Sequence, residues 1–263
     1  MLYFLILLAY YQQQSRNLNL KLDMNVLNTN PELLGQTILL DYENPAIQQL
    51  VEQQGWRTIK SSSKRIGAIY SFVRDKILFG YPPSYNQKAS EVLALRKGNS
   101  ITKATLLMAL LRAVGINGRM HASSIDRHIY RGLLRGLSAK LCPRSCFHSW
   151  VEVDFKGTWV SLEGLVIDKP YLTKLQERFS DYMGSFHGYG IAVLNFRNPP
   201  INWEETDTTI RDKAIKKDIG IFSDPDELFA AHPEIMKWTQ SLTYSCILRP
   251  RVNKAIKKIR TGK

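Results

Sequence analysis

Three side chains of this 263-residue chain stand in an order that suits nucleophilic chemistry: a hydroxyl at Ser100, an imidazole at His148 and a carboxylate at Glu163. A weakly acidic nucleophile needs a base to take its proton, and the base needs a third group to fix its tautomer. The fold, not sequence proximity, brings such groups together. Ser100 closes the segment Arg96-Lys97-Gly98-Asn99-Ser100, directly ahead of the apolar stretch 101–114. That places it at a helix N-terminus, where unpaired N–H groups and the helix dipole favour negative charge. A thiol there would rest as a thiolate, whereas a serine must pass its proton to His148 during attack. Each residue also has an ordinary structural role available. Ser100 would serve as a helix N-cap, His148 as a core histidine satisfied by a neighbour, and Glu163 as a surface carboxylate at a strand end. Trp150 reads as packing over the imidazole and excluding water.

The elements that must hold these groups follow from periodicity. Segments 44–53 and 63–77 have helical spacing, and Pro82-Pro83 breaks the chain before the segment 89–95. The helix that starts near Ser100 is apolar almost all round, the mark of a helix buried at a domain centre, and Gly115 is placed to end it in a left-handed cap. Strands are expected at 118–125 and 146–155. In the second, Phe147, Ser149, Val151, Val153 and Phe155 alternate with Cys146, His148, Trp150, Glu152 and Asp154. Lys156-Gly157 makes a tight turn, and 158–162 returns as the partner strand, which can set Glu163 beside His148. A central buried helix followed by an antiparallel sheet is α+β architecture, although this pattern alone does not select one α+β fold. Further along, 170–182 is expected to be helical, 191–196 a strand, and Asp224-Pro225-Asp226-Glu227 a helix start.

Gly98-Asn99-Ser100 with Ala104, the run from Leu110 to Ile116 with Arg119, the segment 148–152 and the segment 159–163 together resemble the transglutaminase-like superfamily. The resemblance covers about residues 62 to 164 and implies a papain-like core: a buried helix packed on an antiparallel sheet, with helical N-terminal and mixed C-terminal extensions. It implies a nucleophile at position 100, a base at His148 and an orienting acid at Glu163, with acyl transfer or hydrolysis at an amide, ester or thioester and no cofactor. Two positions depart from the family, whose nucleophile is Cys and whose acid is usually Asp. Both a working serine enzyme and a catalytically silent binding module that keeps the cleft, or an inactivated Cys-to-Ser form, are therefore open at this point.

A composition of 44% hydrophobic and 22% charged residues excludes disordered and fibrous chains. The expected organisation is an apolar leader or mis-assigned start at 1–23, a single domain at 24–248, with an extension from about 165, and a basic amphipathic tail at 249–263. The opening 1–11 is shorter than a membrane span and lacks a basic flank and a small-residue cleavage site. It reads as a core-docking or membrane-seeking strand, or as a leader before a start at Met24. Three cysteines, Cys142, Cys146 and Cys246, suit a reducing cytoplasm better than a disulfide framework, and the spacing of Cys142, Cys146 and His148 matches no common zinc pattern. As a competing nucleophile, Cys146 shares the face of His148 but stands about 6–7 Å away along the strand.

The net charge of +13 is uneven: seven basic residues and no acid fall in 249–263, where Val252, Ala255, Ile256 and Ile259 form one apolar helical stripe. The stripe is expected to dock on the core. The charged face is open to an acidic carrier protein or membrane surface, and no specific nucleic-acid motif is present. A second basic stretch, 126–144, carries Arg127, Arg131, Arg135, Lys140 and Arg144, and would favour an acidic peptide, protein or acyl substrate near the cleft.

Overall fold

The computed structural model describes residues 31–262, so the readings of 1–11 and Met24 lie outside the described residues. Helix α1, Pro45–Gln53, starts where the Asn44 side chain accepts from the Ala46 N–H and proline occupies the first turn. It buries Ile47, Leu50 and Val51. Helix α2, Ser62–Lys76, is capped by Ser61 and buries Ile66, Ile69, Tyr70 and Val73 at helical spacing. Strand β1, Leu78–Phe79, pairs in parallel with β2, Lys97–Gly98, across helix α3, Ala89–Leu95. This short parallel pair delivers the chain straight into helix α4, Ser100–Ala113.

Every residue of α4 from Ser100 to Arg112 is buried, Lys103 and Arg112 included. Burial of those cations is made tolerable by carbonyl acceptors. Lys103 Nζ donates to the carbonyls of Arg74 at 2.9 Å and Val166 at 3.2 Å, and Arg112 donates to those of Gly35 and Ser223. Gly115, at φ +76°, ends the helix as expected.

Strand β3, Gly118–Asp126, is followed by a 3-10 turn at Arg127–Tyr130, the short helix α5 at Leu137–Leu141, strand β4 at Ser145–Phe155 and strand β5 at Thr158–Ser161. Lys156 and Gly157, both at positive φ, close the β4–β5 hairpin. The register sets His148 opposite Ser123, Trp150 opposite His121 and Glu152 opposite Arg119. Helix α6, Lys169–Arg178, is shorter than its expected span and stops at Phe179. The expected strand at 191–196 is realised only over its first residues: β6, Phe186–Gly188, and β7, Ile191–Val193, form a small hairpin.

Strand β8, Ile215–Phe222, was not foreseen; it adds to the outer side of β3, giving the antiparallel order β5-β4-β3-β8. Its Lys216, Lys217 and Asp218 lack the alternation of a half-buried strand because it is an exposed edge, and the ladder slips twice along it. Helices α7, Pro225–Ala231, and α8, Glu234–Gln240, then lead through a π-helical turn at Thr243–Leu248 into α9, Arg249–Arg260. The stripe of α9 docks as expected, with Val252, Ile256 and Ile259 buried. No helix among the described residues is long and apolar enough to cross a membrane.

Candidate active site

Helix α4 packs against both β4 and the 3-10 turn Glu163–Val166, so the elements carrying Ser100, His148 and Glu163 adjoin one another. All three residues are buried, at 2%, 1% and 3% exposure. Ser100 is not the helix cap. The Asn99 side chain takes that role by accepting from the Thr102 N–H at 3.1 Å, while Thr102 Oγ1 accepts from the Asn99 N–H. Ser100 is therefore the first helical residue, and its N–H and that of Ile101 precede the start of the i→i−4 ladder.

His148 and Glu163 are brought together. Nε2 of the imidazole lies 2.9 Å from Oε1 of the carboxylate, although the angle falls outside hydrogen-bond geometry. Nδ1 is buried and has no hydrogen-bond partner, so no bond runs from it to Ser100 Oγ. Burial lowers the pKa of His148, opposed by the carboxylate of Glu163, and favours a neutral ring. A neutral ring with its proton on Nε2, facing Glu163, leaves Nδ1 as the basic atom.

Glu163 is not the surface carboxylate that its strand-end position suggested. Its Oε2 sits in a cradle formed by the Thr209 hydroxyl at 3.1 Å, the Arg211 N–H at 3.0 Å and the Ile210 N–H. The preceding residue, Thr208, is strapped to the end of β5, its N–H donating to the Ser161 carbonyl and its own carbonyl accepting from the N–H groups of Glu163 and Gly164. Gly164 is required by close approach: a Cβ there would lie 2.7 Å from Tyr70 Oη and 3.1 Å from Ile201 Cα. Nothing in the local sequence around 208–211 marks this cradle, because its donors are mostly backbone N–H groups.

Trp150 packs beside the imidazole as expected, with ring centroids 5.6 Å apart. Trp150 also packs on the ring of His121, at 4.3 Å between centroids. His121 bridges two carboxylates, Nδ1 to Glu152 at 2.7 Å and Nε2 to Asp218 at 2.8 Å, while Arg119 holds Glu152 and covers the Trp159 ring. The hydrogen bond that His121 donates to Glu152, reinforced by the one to Asp218, raises the His121 pKa. The histidine of β3 escaped the sequence reading because its partner Asp218 comes from the unforeseen β8.

Cys146 is turned to other contacts. Its thiol reaches the Pro143 carbonyl at 3.8 Å and interacts with the thiol of Cys142, which holds the Cys142 pKa down and drives that of Cys146 up. Among the described residues no group of three or more His, Cys, Asp or Glu is arranged to hold a metal. Beside Phe147 lies an apolar cavity of about 210 Å³ walled by Tyr81, Tyr85, Tyr130, Cys146, Trp238 and Tyr244.

A buried central helix packed on an antiparallel sheet that carries a strand histidine beside a cradled carboxylate is a papain-like α+β arrangement. Residues 49–164 match the family model of the transglutaminase-like superfamily. No curated protein matches the chain. A solved structure, of a candidate cysteine protease from Cytophaga hutchinsonii, is similar at 12% identity and a TM-score of 0.44, over 74% of this chain and 47% of that one. The present chain thus spans about half the length of that structure.

Proposed function

We propose that this protein is an acyl-transfer or hydrolytic enzyme acting on an amide, ester or thioester through Ser100, His148 and Glu163. The observation that carries the proposal is the orientation of His148. One ring nitrogen faces a carboxylate fixed by three donors, and the other is left without a partner inside a buried site. A merely structural histidine would satisfy both nitrogens.

In this reading Ser100 Oγ attacks the acyl carbon as its proton passes to His148 Nδ1. Glu163 Oε1 steadies the Nε2–H and the imidazolium that forms. The N–H groups at the start of α4 face the developing oxyanion. Collapse breaks the bond to the leaving group, which takes the proton from Nδ1, and water or an amine then releases the acyl group from Ser100 with His148 again as base. The apolar cavity beside Phe147 suits the apolar part of a peptide or acyl substrate.

Intact-mass labelling with a serine-reactive fluorophosphonate tests this. One adduct on the native chain is expected, lost in Ser100→Ala and in His148→Ala. An unlabelled native chain would overturn the reading in favour of a silent binding cleft. The missing hydrogen bond between Nδ1 and Ser100 is the specific observation on that side.

A further inference from the structure

The two basic stretches of the sequence, 126–144 and 249–263, meet in three dimensions. Arg135 from the first, Arg251, Lys254 and Lys258 from α9, and Arg178 from the end of α6 line one open groove of about 530 Å³, and no carboxylate lines it. Nearby cations are neutralised, Lys174 by Glu177 and Arg260 by Asp168. Among the described residues none of the five groove cations has an ion-pair partner. Leaving five like charges unpaired around one concavity is unfavourable in isolation, and a bound anion relieves it.

The walls are fixed in advance. On one side α9 is anchored by its buried stripe and by Asn253, whose side chain exchanges hydrogen bonds with both the N–H and the carbonyl of Tyr81. On the other, Gly132, at φ +85°, lies flat against the Tyr189 ring, where a Cβ would come within 2.2 Å of Cζ. The Tyr189 N–H donates to the Arg131 carbonyl at 2.8 Å. Binding there costs little ordering of backbone.

From this we infer that the groove is a binding site for a compact, multiply phosphorylated ligand, unconnected with the acyl chemistry proposed for Ser100. Three of the cations are guanidinium groups, which suit bidentate recognition of phosphate. Arg251, Lys254 and Lys258 fall at i, i+3 and i+7, one stripe about 10 Å long at 1.5 Å per residue. Arg135 and Arg178 face it from other elements. Cations converging from three elements on a volume in the small-molecule range fit a compact polyanion better than an extended polymer. The sequence Arg-Gly-Leu occurs twice, at 131–133 and 135–137, and the arginine of the first copy, Arg131, turns instead to a separate hollow with Arg127, His128 and Lys140.

The test is calorimetric titration of the full chain with inositol hexakisphosphate and with inorganic tripolyphosphate, and co-sedimentation with vesicles containing either phosphatidylinositol bisphosphate or phosphatidylserine. The inference expects saturable binding of at least one phosphorylated probe, weakened about tenfold or more in Arg251→Glu/Lys254→Glu and in the milder Arg251→Gln/Lys254→Gln. The exposed pair Lys60→Glu/Lys64→Glu makes the same change in net charge elsewhere and should leave binding within about twofold. Binding to free inositol hexakisphosphate assigns a soluble ligand, and binding only to bisphosphate vesicles assigns a lipid headgroup. Equal weakening by the control pair, equal binding to phosphatidylserine vesicles, or no binding of any phosphorylated probe would overturn the inference.

Discussion

Arg260, near the end of the last helix, is ion-paired with Asp168, which is fully buried at the start of α6. The same carboxylate accepts from the Phe79 N–H at 2.7 Å and caps α6 through the Tyr171 N–H at 3.0 Å. One side chain thereby joins β1, α6 and α9. Arg260→Leu is expected to cost about 3 kcal/mol, because it leaves a buried carboxylate without its cation. Urea unfolding measures this, and limited proteolysis should then cut within α9 before the rest of the chain. Unchanged stability would mean that Asp168 is held by its N–H donors alone.

The pH dependence of stability should carry a mark of Lys103. Burial lowers its pKa from 10.5 to about 7. Between those values the unfolded chain binds the proton that the folded chain has released, so the Lys103 contribution to stability improves as pH rises from about 7 toward 10.5. One such group adds a slope of at most about 1.4 kcal/mol per pH unit. Lys103→Met should flatten that rise in denaturation midpoints measured across the window. The same slope in the variant would show that Lys103 stays charged in the fold.

His121 acts in the opposite sense. Its pKa is raised, so the stability it adds is complete below about 6.5 and is lost as pH climbs through the higher folded value. His121→Gln should therefore lose more stability at pH 6 than at pH 8, and NMR titration of the ring should place its midpoint above that of a free histidine. A midpoint at or below the free value would contradict the bridge to Glu152 and Asp218.

Glu163 spans from its cradle to the imidazole with a reach that aspartate lacks. Glu163→Asp should keep the hydrogen bonds of residues 209–211 only by retreating from His148, and fluorophosphonate labelling should slow by about a hundredfold, the lower end of what a well-placed general base contributes. Gly164→Ala presses on Tyr70 and Ile201 and should both slow labelling and cost about 1–3 kcal/mol. Labelling at the native rate in both variants would remove Glu163 from the mechanism.

The central helix and the β3–β4–β5 meander were legible in the sequence because each is carried by local periodicity, an apolar helix, an alternating strand and a two-residue turn, whereas the pairing of Glu163 with His148 was implied by the family resemblance. What the sequence concealed depends on partners remote along the chain. The edge strand β8 has no alternation of its own, since its residues are exposed or only half-buried on both faces. The Thr209–Arg211 cradle works through backbone donors, which any residue except proline supplies. The short helix α5 and the split of 191–196 into a hairpin strand and a loop likewise answer to packing and not to propensity. Ser100 was placed correctly at the helix start, but its neighbour Asn99, equally suited to capping, takes the cap.

That choice of cap separates two roles that often fall on one residue. With the helix start secured by Asn99 and Thr102, the side chain at position 100 is not needed as a cap. Ser100→Cys and Ser100→Ala should melt within a degree or two of the native chain, since a lost cap would cost about 1 kcal/mol and none is lost here. Position 100 is thus a place where the atom proposed to react can be exchanged, oxygen for sulfur or for nothing, without disturbing the helix cap, so that a difference among the three chains reports on the proposed chemistry.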